Sequence, residues 1–69
     1  MSASRHFPPP WKVDDLAACF VVRDNTGQEL AYIYYQEAPG RRAVTKLLTR
    51  DEARSIALVI ANMPELVRR

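Results

Sequence analysis

Few side chains in this sequence can do chemistry. There is one cysteine, Cys19, and one histidine, His6. A thiol nucleophile needs a base beside it. Cys19 stands in "ACFVV", which reads as a strand interior, and apolar burial makes a thiol inert. His6 lies in a proline-rich leader, so a Cys–His pair is not expected. One cysteine and one histidine also cannot build the usual zinc site or an internal disulfide. Asp51 and Glu52 are adjacent, but their place at a helix start accounts for both. Asp14 and Asp15 read as turn residues. With only Gly27 and Gly40 there is no glycine-rich phosphate loop. "DNTGQE" (24–29) looks faintly like part of a calcium loop, yet its acidic ligands run out and strands flank it, so a hairpin turn is the better reading. The sequence thus points to a protein that is not an enzyme, with no metal and no cofactor.

A basic segment remains. Arg41, Arg42, Lys46, Arg50 and Arg54 cluster around a helix start, where backbone amides can hold a phosphate. Tyr34 and Tyr35 precede them and offer rings for stacking on bases. Under a nucleic-acid reading, Arg41, Arg42, Lys46 and Arg50 are the phosphate contacts. Against it, Glu37, Asp51 and Glu52 are interspersed and can pair with the arginines. A net charge of +2 and a pI near 9.0 are also modest for such a protein. The charge is uneven: residues 1–40 carry three basic and five acidic side chains, and residues 41–69 carry seven and three. That split marks either a polyanion site or two complementary surfaces of a self-associating protein.

The competing reading rests on "LAYIYYQ", Leu30 to Gln36. It predicts an interface built on Tyr34, Tyr35 and Trp11, for a protein partner or a second copy, since aromatic side chains are favoured at interfaces. This asks least of the sequence and is the preferred reading.

The elements that would position these residues follow from pattern. "RHFPPPW" favours polyproline II, giving a loose tail over residues 1–8 and one small domain over 9–69. Trp11 and Val13 alternate like an arm or short strand laid on the core. "ACFVVRDNTGQELAYIYY" reads as a β-hairpin around Asp24–Gly27, with Gly27 in the left-handed position and Arg23 facing Glu29. Regular pairing from there places Val22 opposite Leu30, Phe20 opposite Tyr32 and Cys19 opposite Ile33. One face then carries Phe20, Val22, Leu30, Tyr32 and Tyr34, and the other Cys19, Val21, Ala31, Ile33 and Tyr35. On that register Tyr32 belongs to the core, while Tyr34 and Tyr35 are the exposed rings. Pro39-Gly40 signals a turn, and 41–48 is either a short helix or an irregular link. "LLTRDEARSIALVIANMPELV" is the clearest helix. Thr49 and Glu52 have capping-box spacing, Leu48 can staple on Ala53, and Ala53, Ile56, Ala57, Ile60 and Met63 form an inward stripe. Leu58 and Val59 widen the apolar surface, and Pro64 must end or kink the helix. The expected fold is α+β: an arm or short strand, an antiparallel hairpin or meander, and one long C-terminal amphipathic helix, with a short helix before it as an option.

Size sharpens the choice of function. A 69-residue domain buries only about 60% of its unfolded surface and commonly needs a disulfide, a metal or a partner subunit. With the first two excluded by composition, a homodimer is favoured. No stretch reaches the roughly 18 apolar residues of a membrane span, and no export signal is visible, so a cytoplasmic protein is expected.

Trp11-x-Val13, "FVVRDNTGQELAYIYY", "PGRR", "KLLTRDEAR" and "MPELVRR" together resemble a family of short uncharacterised alphaproteobacterial proteins. The likeness spans about Phe7 to Arg69, with Met63 where leucine often stands. It implies a bacterial origin and one compact domain. That family has no assigned activity, so it implies no site.

Overall fold

The computed structural model describes residues 7–67, without the side chains of Arg42, Thr45, Leu66 and Val67. Three antiparallel strands, β1 (Lys12–Asp15), β2 (Cys19–Arg23) and β3 (Glu29–Tyr34), form one sheet in the order β1-β2-β3. Three helices follow: α1 (Pro39–Thr45), α2 (Arg50–Ala61) and α3 (Met63–Val67). The fold is α+β.

The hairpin closes as its sequence demands. The Gly27 amide donates to the Asp24 carbonyl at 3.1 Å, and Gly27 has φ +94°, which L-residues rarely adopt. The buried Asp24 carboxylate accepts the amides of Thr26 and Gln28, at 2.8 and 3.0 Å, and the Thr26 hydroxyl at 2.6 Å. Burial pushes its carboxyl up, but these bonds outweigh it and hold the group below the ordinary range. Arg23 stands opposite Glu29 and pairs with it at 3.2 Å, as the turn predicts.

Beyond that pair the predicted register fails by one residue. A bulge lies between Val22 and Arg23: Val22 faces Ala31, Val21 faces Tyr32, Phe20 faces Ile33 and Cys19 faces Tyr34. One extra residue, Leu30, exchanges the faces of everything after it on β3. The inner face carries Phe20, Val22, Ile33 and Tyr35, packed with Ala53 and Ala57 of α2 and flanked by Trp11, Val13, Ala31, Leu48 and Ile60. Tyr32 is therefore exposed and Tyr35 buried, the reverse of the sequence expectation.

The Thr49/Glu52 capping box is present, with the Glu52 amide donating to Thr49 Oγ1 at 3.1 Å and the Thr49 amide to Glu52 Oε1 at 2.9 Å. Leu48 packs on the cluster that holds Ala53, as the staple requires. The inward stripe is narrower than predicted. Only Ala53 and Ala57 are buried, and Ile56 and Met63 are both 42% exposed. Two small side chains seat α2 close to the sheet and leave its large ones on the flanks. α2 ends at Ala61, and Pro64 lies within the separate turn α3.

Three further expectations are corrected. Asp14 and Asp15 lie in β1 and not in a turn; the turn is Leu16–Ala18, where Ala17 has φ +75°. β3 ends before Pro39-Gly40 as expected, but that pair opens α1 and is not a turn, consistent with proline's fitness for a first helical turn. Phe7 and Pro8 are tied down: the Trp11 indole donates to the Phe7 carbonyl at 2.9 Å, and the Asn25 amide to the Pro8 carbonyl at 2.8 Å. His6 and the rest of the predicted tail, residues 1–6, lie outside the described residues.

Candidate interaction surface

The two ends of the sheet differ in how their polar groups are used. At the Asp15 end, three distant segments are tied together. Asp15 accepts from the Tyr35 hydroxyl at 2.9 Å and from Arg50 Nη2 at 2.7 Å. The Arg50 guanidinium also lies over the Phe20 ring, 5.3 Å from its centroid. Arg50 first, then the Ala17 amide and the Tyr35 hydroxyl, hold the Asp15 carboxyl down at about 2. Burial, then the neighbouring carboxylate, pushes the Tyr35 phenol up.

The opposite face of β3 is open. The Tyr32 and Tyr34 rings stack, 6.2 Å between centroids and 16° between planes, and are 46% and 54% exposed. The Tyr32 hydroxyl donates to Glu29, which also pairs with Arg23, and Arg23 reaches Asp14 across the sheet. Tyr32 first, then Arg23, lower the Glu29 carboxyl.

The backbone of β3 is open at the same place. The Tyr35 amide donates to the Ala18 carbonyl at 3.2 Å, which makes that a hydrogen-bonded pair. Alternation in an antiparallel ladder then makes Ile33–Phe20 and Ala31–Val22 hydrogen-bonded pairs too. The N–H and C=O groups of Tyr32 and Tyr34 therefore point away from β2; the parallel bridge of Tyr35 with Leu48 covers that side at the Tyr34 carbonyl, so the free stretch is Tyr32 and the Tyr34 amide. Gln36 follows the same rule: its amide turns outward and donates to the Leu48 carbonyl at 2.9 Å. Leu48 covers the edge there, and the bulge at Leu30 ends regular pairing at the other end.

Helix α2 adds an apolar flank beside this edge. Arg50 reaches Asp15 on β1, whereas Ile56 lies roughly a third of a turn round the α2 axis from it, at 3.6 residues per turn, and Met63 opens α3. Ile60 and Met63 share a groove of about 420 Å³ with Leu30 and Ala31 of β3 and with Phe7 and Trp11. Gln28 and Glu29 complete its lining. Ile56, Val59 and Met63 stand exposed on this part of the helix surface. On α1, Val44 is 82% exposed.

The residues predicted from sequence are only partly brought together. Tyr34 lies on the open face. Tyr35 is in the core, and Trp11 is half-buried against it. Arg41 and Lys46 lie on and just after α1, exposed; Arg42 is in α1, its side chain outside the description. Arg50 is committed to Asp15 and Phe20. The start of α2, offered as a phosphate seat, already faces carboxylates: the Arg50 amide donates to Glu37 at 2.7 Å, and Asp51 and Glu52 fill the first turn. Tyr32, Val44, Ile56 and Met63 escaped the sequence reading of the surface. The signal for the last two was present: two alanines at i, i+4 form a narrower seam than the full apolar run.

Cys19 is buried, and among the described residues no group of three or more His, Cys, Asp or Glu side chains is placed to hold a metal. No helix among them is long and apolar enough to cross a membrane. Fold and surface define a small α+β domain whose two sheet edges, charged at β1 and aromatic at β3, differ in character. No family model, curated protein or solved structure matches the chain.

Proposed function

We propose that this domain is a non-enzymatic binding module that acts by associating with itself. The observation that carries this reading is the edge of β3: outward backbone groups at Tyr32 and at the Tyr34 amide, with the stacked, exposed rings of the same residues on the face turned away from α2 and the exposed Ile56, Val59 and Met63 on the helical side. An isolated apolar side chain on a surface needs no explanation; exposed rings on an unpaired strand mark an interaction site. Composition removes the disulfide and the usual zinc site from the means of stabilising so small a core, and association supplies what they would.

Sedimentation equilibrium tests this. The expected mass is twice 7.9 kDa, approached as concentration rises. A mass that stays at 7.9 kDa up to about 1 mM, where even an affinity near 4 kcal/mol would show, overturns it.

A further inference from the structure

Beyond self-association, we propose that the sheet face turned away from α2 binds a neutral saccharide, stacked on the rings of Tyr32 and Tyr34. Backbone groups at a strand edge lie in the plane of the sheet, so association through them leaves the ring faces unused. The rings form a platform. Val21 and Cys19 stand opposite Tyr32 and Tyr34, on the same face, and neither belongs to the cluster under α2. Yet Val21 is fully buried and Cys19 is 5% exposed. Both are non-hydrogen-bonded pairs, in which opposed side chains come closest. With α2 on the other face, their cover comes from side chains across the strands: the two rings on β3, and Asp14 on β1 beside Val21. A ring with one face on the sheet and the other in water is about half exposed, as Tyr32 and Tyr34 are. Their planes are nearly parallel, and at 6.2 Å between centroids they are offset, so each keeps an open face.

The charges beside the platform select the ligand. Arg23 pairs with Asp14 of β1 and Glu29 of β3, and Glu29 also accepts from the Tyr32 hydroxyl. This row crosses the whole sheet and is internally balanced. A polyanion would meet its two carboxylates, and a cationic peptide would have to compete with Arg23 for them. A neutral polyol meets neither opposition. A carboxylate has more acceptor positions, and a guanidinium more N–H donors, than these pairs use, so the row takes further hydrogen bonds without being broken. The Asp14 side chain is 53% exposed and open to such bonds. Each sugar hydroxyl both donates and accepts, so neighbouring hydroxyls suit a carboxylate that stands beside a guanidinium. The C–H face of a pyranose is apolar, with slightly positive hydrogens, and it matches the negative face of a tyrosine ring. A flat platform with polar groups along one border thus fits a ring that is apolar on its face and polar round its rim.

The test is an amide-resolved NMR titration of the full chain with cellohexaose and with maltohexaose, each to about 10 mM, where an affinity near 3 kcal/mol already shows. Saturable shifts centred on Val21, Arg23, Tyr32 and Tyr34 are expected with at least one of the two. Tyr34→Leu keeps an apolar cover over Cys19 but has no ring, and should weaken binding about tenfold or more. Tyr34→Phe keeps the ring and should bind like the native chain. No shifts with either sugar, shifts centred elsewhere, or a Tyr34→Leu chain that binds unchanged overturns the proposal. So does the same set of shifts raised by a thymidine decamer and by neither sugar, which would make the platform one for bases. The outcome is separable from self-association. A protein of 7.9 kDa that binds sugar removes the dimer and leaves this site, and a dimer that binds none does the reverse.

Discussion

The two edges of this sheet are built on opposite terms. β1 is four residues long, and three of them, Lys12, Asp14 and Asp15, are charged. Asp14 is held by Arg23 and Asp15 by Arg50 and Tyr35, so the charges are fixed in place. β3 is longer, and its open stretch carries Tyr32 and Tyr34 with no charge between them. Charged, short edges are how sheets discourage strand addition. A sheet guarded on one side and bare on the other can accept one neighbour and then stop. Such one-sidedness gives closed pairs, where two bare edges would give open chains.

The sharpest way to break the comparison is to remove the guard. Replacing Lys12 and Asp14 together by valine makes β1 resemble β3. Species heavier than a dimer should then appear in sedimentation; an unchanged distribution would mean that charge is not what closes β1. A second experiment asks how α2 grips the sheet that both edges share. Ala57→Leu overfills a fully buried position and should cost about 1–3 kcal/mol in urea unfolding. Val59→Ala, on the exposed surface, should stay within about 0.5 kcal/mol at concentrations too low for association. Equal costs would contradict a helix seated on its alanines.

The smallest effect is in acid. Asp15 has its carboxyl lowered from 3.8 to about 2 in the folded chain, so the unfolded chain binds the proton more tightly. Its contribution is complete above pH 3.8 and is lost as the pH falls toward about 2. Asp24 and Glu29, also lowered, act with the same sign. Asp15→Asn should reduce stability at neutral pH and flatten the loss between pH 4 and 2, with β1 amides exchanging first. An undiminished acid slope would place the proton uptake elsewhere.

Much of the frame is legible in the residues. Thr49 and Glu52 announce the start of α2, Asp24 to Gly27 the hairpin, and Arg23 with Glu29 the pairing at its mouth, because each depends on neighbours within a few positions. The surface was harder to read. Which tyrosines face out depends on whether an extra residue interrupts pairing, and the residue types allow Leu30 to be paired or bulged. Ile56 and Met63 fit a helical stripe as well as Ala57 does. Only the close seat of two alanines on the sheet decides that they stay outside. The basic segment showed the same limit: Arg50 looks like its neighbours in sequence, and a partner 35 positions away claims it.

The bulge at Leu30 also separates two fittings that a regular hairpin would have to make together. The turn needs Glu29 across from Arg23; the sheet needs Ile33 and Tyr35 turned inward. With Leu30 as slack between them, each requirement is met without regard to whether the count from one to the other is odd or even. Chain length can vary by one residue at this point while the ion pair, the core and the outward tyrosines all keep their places. The joint nearest the open edge is thus also the place where the chain best absorbs an insertion or a deletion.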